Sequence, residues 1–391
     1  MIETSSAELV RRGHEVFIFA PGYGASDDGR IPPVGGRPAE RGSTRPAGDE
    51  PRASEPFIYR FPSLAAPNYP SFRIPIPVRP GLSRFVAGLG LDVIHSHTPF
   101  VLGRVARSLA RRLRVPLVFT HHTLYHEYVH YALFARRVAR WWVWHHVARY
   151  CRDADLVIAP SEAVARQVRE GYGVRTPVEV IPSGVDLRLF EASERDRGWL
   201  RRTFGLPPPS RLLVNVGRLT LEKNPGLLLS AFARLAAEEA DAYLVLVGEG
   251  PERPTLERRA FELGLAKRVV FTGRQPPERV ADALLASDLF VITSYTETQG
   301  LVVAEALAAG LPVVLVDSPP LMETVRDGVE GLVVPGEAQA LAAACRRLLN
   351  DPELRRRMSS AARERARELS LPVAVDHLLA AYELVVTLRT S

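Results

Sequence analysis

Two carboxylates eight positions apart, Glu297 and Glu305, bracket the segment Glu297-Thr298-Gln299-Gly300-Leu301-Val302-Val303-Ala304-Glu305. The segment follows the apolar run 289–292 and opens a short apolar helix that ends near Gly310. A strand feeding a glycine-opened helix presents backbone N–H groups and a helix dipole to an anion, usually phosphate. Two carboxylates there would repel that anion unless they hold something neutral beside it, and sugar hydroxyls fit. The chemistry implied is that of a sugar carried on a diphosphate. At the rise of an α-helix Glu305 lies roughly 7.5 Å beyond Gly300, which suits a ribose next to the diphosphate. The competing reading has Glu297 capping the helix and Glu305 pairing with an arginine, and it must hold at both positions.

Cations follow an earlier apolar run. Gly217-Arg218-Leu219-Thr220-Leu221-Glu222-Lys223-Asn224 comes directly after residues 212–216, and open parallel sheets bind ligands beyond the carboxyl ends of their strands. Arg218 offers a planar fork and Lys223 a point charge. Together they would neutralise charge on a departing nucleotide. Taken singly, each reads as a solvated charge flanking a turn. Gly248-Glu249-Gly250-Pro251 and Gly273-Arg274-Gln275 also follow predicted strands. Their glycines permit close backbone approach, as to a base or ribose, although strand-to-helix turns commonly use glycine.

In the first half, Thr120-His121-His122-Thr123 ends the run 116–120. Successive strand side chains point oppositely, so one of the two histidines faces a ligand. Tyr125, Glu127, Tyr128, His130 and Tyr131 crowd the same strand end, and His95 and His97 follow another strand. A lone histidine is more often structural; this crowding favours function. His121, His122, Glu127 and His130 show no HExxH or comparable ligand spacing. Asp153-Ala154-Asp155 resembles the DxD of metal-dependent sugar transferases, but it precedes the apolar residues 156–159 and is expected to start a buried strand. No metal and no cofactor are expected.

The elements that must position these residues alternate along the chain. Strands are expected at 16–20, 92–95, 116–120, 156–159 and 178–181, and, after Pro182-Ser183-Gly184, at 212–216, 243–247, 269–272, 289–292 and 312–315. Helical patterns separate most of them, which argues for parallel sheets with helices on both faces. The expected fold is α/β, two Rossmann-like doubly wound domains facing across a cleft: residues 1–184, then 185–370. Residues 22–56, rich in Gly, Pro, Arg and Asp, read as a long mobile surface loop. The chain starts inside the first helix, 3–12. The strand and glycine loop that normally precede it are missing, so a start further upstream is expected.

Composition sets outer limits. The chain has 391 residues, 46% of them hydrophobic, enough for two cores. No run approaches the roughly 18–20 apolar residues of a membrane span, and no signal segment opens the chain, so the cytoplasm is expected. Cys151 and Cys345 are too few for a disulfide framework or zinc site. Residues 1–175 hold 24 arginines against 15 acids, while the remainder holds 26 basic residues against 29 acids. A basic first half suits nucleic acid, anionic lipid or phosphorylated substrate. Residues 134–152 place Arg136, Arg137, Arg140, Arg149 and Arg152 among Trp141, Trp142 and Trp144, which suits a membrane interface. A core helix with a solvated basic face is the alternative.

The pattern resembles the family 4 glycosyltransferases, retaining sugar-nucleotide enzymes of GT-B fold, over nearly everything except residues 22–56. Thr120-His121-His122-Thr123-Leu124-Tyr125-His126-Glu127-Tyr128-Val129-His130-Tyr131 and Arg60-Phe61-Pro62-Ser63 are similar to the bacterial 1,2-diacylglycerol 3-glucosyltransferases. The resemblance implies that Arg218 and Lys223 hold the diphosphate. Glu297, with the backbone at Gly300, Leu301 and Val302, holds donor sugar and phosphate; Glu305 binds the ribose; Gly273 and Arg274 approach the base. It implies that His122 sits near the reacting carbon, that transfer proceeds on one face without a protein nucleophile, and that residues 371–391 form a helix crossing back to the first domain. The expected donor is a UDP- or GDP-linked hexose, glucose first, and the acceptor a lipid or glycan. Arg136, Arg137, Arg140 and Trp141 would meet an anionic membrane surface, placing the protein peripherally on the inner face; no nucleic acid is expected. The alternatives are a mannosyltransferase acting on phosphatidylinositol or polysaccharide, a nucleotide-sugar epimerase, and a non-catalytic sugar-nucleotide binder.

Overall fold

Runs such as Leu289–Ile292 and Val313–Val316 are buried at every position. They lack the alternation of a half-exposed sheet and need helices on both faces. A computed structural model describes residues 2–23, 55–66, 69–77, 80–123, 136–191 and 195–390. The chain divides into two units, Met1–Pro182 with Ala374–Ser391, and Ser183–Val373.

In the first unit β1 (Phe17–Pro21) pairs in parallel with β2 (Phe57–Phe61), and β3 (Ser63–Ala66) pairs antiparallel with β4 (Tyr69–Pro75). A separate parallel sheet runs in chain order through β5 (Ile94–Ser96), β6 (Leu117–Thr120), β7 (Leu156–Ala159) and β8 (Val178–Val180). Alternation splits its core in two. Phe119 and Val157 face Val147, Tyr150 and Cys151 of the helix Arg136–Asp153. Val118, Leu156 and Ile158 face Ala381 and Val385 of the helix Leu371–Thr390.

That last helix corrects the hydropathy reading. Leu371–Arg389 has a mean hydropathy of 1.5, long and apolar enough to cross a membrane. Asp376 and Glu383 interrupt its apolar run, and the helix packs one side on β6 and β7 while Leu384 and Leu388 stay exposed. The acidic pair also divides its labour. Asp153 ends its helix and pairs with Arg107 and Arg111. Asp155 stands before β7 and accepts a hydrogen bond from the Leu117 N–H at 2.7 Å. Strands β2, β3 and β4 were not anticipated: Phe57–Phe61 mixes exposed and buried side chains, and prolines at 62, 67, 70 and 75 interrupt the stretch.

The second unit carries β9 (Arg211–Val216), β10 (Ala242–Val247), β11 (Val269–Gly273), β12 (Leu289–Ile292), β13 (Val313–Val316) and β14 (Gly331–Val334), all parallel, in the order β11-β10-β9-β12-β13-β14. Of these, β14 was not anticipated. Leu213, Leu244 and Val291 pack under the helices Pro225–Glu238 and Ala338–Asn350. Leu212, Val214 and Phe290 pack under Pro277–Leu285 and Leu301–Ala308. The order reverses between β9 and β12, and at such a switch point the connections leave in opposite directions and open a crevice beyond the strand ends.

Candidate active site

A cavity of about 760 Å³ occupies that crevice. Its floor comes from Asn215 to Arg218 at the end of β9, and its wall from Ile292, Ser294 and Glu297 after β12. Seven of the nine residues expected to hold a donor line it: Arg218, Lys223, Arg274, Glu297, Leu301, Val302 and Glu305. Gly273 and Gly300 stand immediately before lining residues.

The charges are arranged as pairs. Lys223 Nζ donates to Glu297 Oε1 at 2.5 Å, and Arg218 lies 3.6 Å from the nearly buried carboxylate of Glu222. Three hydroxyls fix the loop that carries both cations. Thr293 Oγ1 donates to the carbonyls of Lys223 and Asn224, while Ser294 and Thr296 donate to that of Glu222. Asn224 turns the chain in the left-handed region (φ 51°) and leads into Pro225–Glu238. The segment after β12 therefore holds the loop after β9 by its backbone.

Helix Leu301–Ala308 begins at Gly300, with φ 76° and no side-chain cap. Its first N–H groups have no acceptor within the helix and point along the axis toward the cavity end. The alternative reading of the two glutamates does not hold: Glu297 pairs with Lys223 instead of capping, and Glu305 has no ion pair among the described residues. Burial raises the Glu305 carboxyl to about 7, as expected of an acid kept from water in a cavity wall.

Two sequence expectations change. A side chain at Gly248 or Gly250 would clash with the backbone of Gly217 and Leu219. The close approach that these glycines allow is to the cation-bearing loop, not to a base or ribose. Also unforeseen were Phe190, Pro277, Val280 and Asn215 in the lining. Asn215, the one polar residue in Arg211–Val216 beyond its first position, was a legible signal; its amide donates to the Val291 carbonyl at 2.8 Å and ties β9 to β12.

The histidines belong to the first unit. His121 is fully buried among Phe119 and Tyr172, while His122 stays partly accessible, so the strand alternation separates them. His122 Nε2 lies 2.8 Å from His97 Nδ1 with the two rings stacked, and the His97 and His95 rings are tilted with centroids 4.1 Å apart. His95 bonds Tyr382 Oη at 2.7 Å and Thr120 Oγ1 at 2.6 Å. Burial, then the neighbouring imidazoles, lowers His122 to about 3, so it is neutral at physiological pH. Tyr125, Glu127, Tyr128, His130 and Tyr131 lie outside the described residues, as do residues 24–54 of the expected loop. Among the described residues no group of three His, Cys, Asp or Glu is placed to hold a metal ion. On the helix Arg136–Asp153, Arg137, Val138, Arg140, Trp141 and Trp142 are exposed, while the later turns are core; the side chain of Arg136 lies outside the described residues.

The fold is that of a GT-B glycosyltransferase. The description "Glycosyl transferases group 1" matches residues 196–365 and "Glycosyltransferase Family 4" residues 1–189. The alpha-monoglucosyldiacylglycerol synthase of Streptococcus pneumoniae is 31% identical over 356 residues, 90% of this chain and 75% of that protein. The D-inositol 3-phosphate glycosyltransferase of Nocardia farcinica is 36% identical over 302 residues, 74% of this chain and 66% of that protein. Among solved structures, Anabaena HepE in complex with UDP is 25% identical with a TM-score of 0.67, covering 85% of this chain and 87% of that one. The chain belongs to glycosyltransferase family 4, and it is a transferase, which sets aside the epimerase and the non-catalytic binder.

The desolvated Glu305 leads to a prediction with a definite sign. Its folded-state pKa lies above the ordinary carboxyl value, so stability from this group is greatest at low pH and falls as pH rises from 4.5 toward about 7. Glu305→Gln should therefore be more stable than the parent at pH 8, by about 3 kcal/mol, and near parity at pH 4.5, while binding the donor more weakly. Urea unfolding at the two pH values measures it; a Glu305→Gln protein less stable at pH 8 would contradict the assignment.

Proposed function

We propose that this glycosyltransferase is a retaining enzyme that moves a hexose, glucose first, from a UDP- or GDP-linked donor in the β9–β12 crevice to a lipid acceptor such as diacylglycerol. The observation that carries the reading is the meeting of Arg218, Lys223, Glu297 and Glu305 in one cavity at the switch point. Arg218 and Lys223 offset charge that grows on the departing diphosphate. The uncapped start of Leu301–Ala308 adds backbone donors to the same anion. Glu297 pins the Lys223 ammonium through Oε1, which leaves Oε2 to accept from a hydroxyl of the donor sugar. Glu305 accepts from the ribose hydroxyls, and these hydrogen bonds replace the water that the carboxylate has lost.

Transfer on one face needs no protein nucleophile: the leaving phosphate takes the acceptor's proton as the hydroxyl attacks. His122, to which the family resemblance assigns a part in transfer, is neutral and would add no charge to the reaction. The reading requires no metal or cofactor, since Asp153 and Asp155 are already engaged by Arg107, Arg111 and the Leu117 N–H. Support for a lipid acceptor comes from the S. pneumoniae relative, named for a diacylglycerol product. A polar acceptor such as a phosphorylated inositol is the second reading, favoured by the N. farcinica relative. Exposed Trp141, Trp142 and Val138 beside Arg137 and Arg140 suit peripheral attachment to the anionic inner face of the cell membrane.

Labelled UDP- and GDP-hexoses, incubated with diacylglycerol or inositol phosphate in the presence of EDTA, separate the two acceptors. Lipid-dependent product is expected, and Glu297→Ala should lower its rate at least about a hundredfold; parental turnover in that variant refutes the assigned role. Replacing Arg137, Arg140 and Trp141 by serine should weaken binding to anionic vesicles about tenfold or more, at roughly 1 kcal/mol per basic residue. Unchanged vesicle binding would return this helix to a solvated surface.

A further inference from the structure

Gly300 has no side chain with which to fix the helix that follows it, yet the N–H groups of that helix must meet the donor phosphates at hydrogen-bond distance. The preceding residue supplies the constraint. Gln299 is 5% exposed, and both ends of its amide are used on one residue: Oε1 accepts from the Ser183 N–H at 2.7 Å and Nε2 donates to the Ser183 carbonyl at 3.0 Å. The side chain thus pairs with the backbone of Ser183 as a neighbouring strand would. Thr324 Oγ1 donates to the Gln299 carbonyl at 3.2 Å. Leu321, fully buried, lies where a side chain at position 300 would project.

Ser183 is itself anchored. It is the first residue of the second unit, and two positions on, Val185 donates to the Leu369 carbonyl at 2.9 Å and accepts from the Leu371 N–H at 2.8 Å. The start of Leu301–Ala308 is therefore tied through one side chain to the paired segments by which the chain joins this unit. Only an amide satisfies both backbone groups. A carboxylate can accept from the N–H but cannot donate to the carbonyl, and an alkyl group does neither.

We propose that Gln299 is a positioning residue for donor binding, whose amide, closed on Ser183, sets where the first N–H groups of Leu301–Ala308 point. The proposal rests on the reading of the crevice as a nucleoside diphosphate site. Helix N–H groups act on phosphate, so loosening Gln299 penalises the diphosphate and leaves the base and ribose contacts intact. A displacement of about an ångström is enough to matter at such a site.

The test is calorimetric binding of UDP and UMP, and of GDP and GMP, to the full chain and to Gln299→Glu, Thr324→Val and Arg218→Ala. Gln299→Glu should weaken the diphosphate about tenfold and the matching monophosphate by less than about threefold. Thr324→Val, which removes the second restraint on the same peptide without changing side-chain shape, should shift affinity in the same selective direction by a smaller factor. It serves alone if Gln299→Glu fails to fold. A merely structural role would weaken both nucleotides equally or neither, and either result in a folded variant overturns the proposal. If the parent binds neither diphosphate, or Arg218→Ala leaves diphosphate affinity intact, the donor reading itself fails and the positioning role falls with it.

Discussion

Lys223 and Glu297 belong to loops that follow different strands, β9 and β12, and their 2.5 Å ion pair spans the point where the sheet order reverses. Neither charge is fully exposed, so each would carry a desolvation cost if left alone. The hydroxyls of Thr293, Ser294 and Thr296 hold the facing carbonyls at residues 222–224, so the pair does not rely on two flexible side chains finding each other. A cation fixed in this way needs little reorganisation when a diphosphate arrives or departs, and that is the condition under which a positive charge lowers a barrier. Arg218, braced by Glu222, and the uncapped helix at Gly300 gain their purpose from that fixed point.

Glu305 shows the opposite arrangement. It sits in the same cavity wall with no ion pair among the described residues and with its carboxyl raised by burial. A group of this kind weakens the folded protein at neutral pH and is satisfied only when a ligand supplies donors. The two glutamates of one short segment thus differ: Glu297 pairs with a cation, while Glu305 has no ion pair among the described residues. On the first turns of Arg136–Asp153, Trp141 and Trp142 are exposed beside Arg137 and Arg140, a surface that names no particular acceptor.

Much of this was legible before any coordinates. Strands β9 to β13 are short apolar runs buried on both faces, and periodicity plus glycine punctuation locates them to within a residue or so. Arg218, Lys223, Glu297 and Glu305 could be placed together because each follows a strand end and the strand-end rule is geometric. What escaped were features decided by contacts distant in sequence. Strand β2 mixes exposed and buried side chains and pairs with β1, while β3 and β4 pair with each other. Gly248 and Gly250 looked like ligand approaches, but the object approached is the neighbouring loop. Gln299 carries no periodic or compositional mark, since its partner Ser183 is 116 positions away. The helix Leu371–Thr390 was expected from the family resemblance, but its span-like hydropathy was not, because Asp376 and Glu383 interrupt the apolar run.

The account is tested most directly by a crystal structure of the protein soaked with its nucleotide-sugar donor. It predicts diphosphate oxygens within hydrogen-bond distance of Arg218, Lys223 and the Leu301 N–H, with the ribose hydroxyls on Glu305. A donor seated with its diphosphate away from both cations would contradict it.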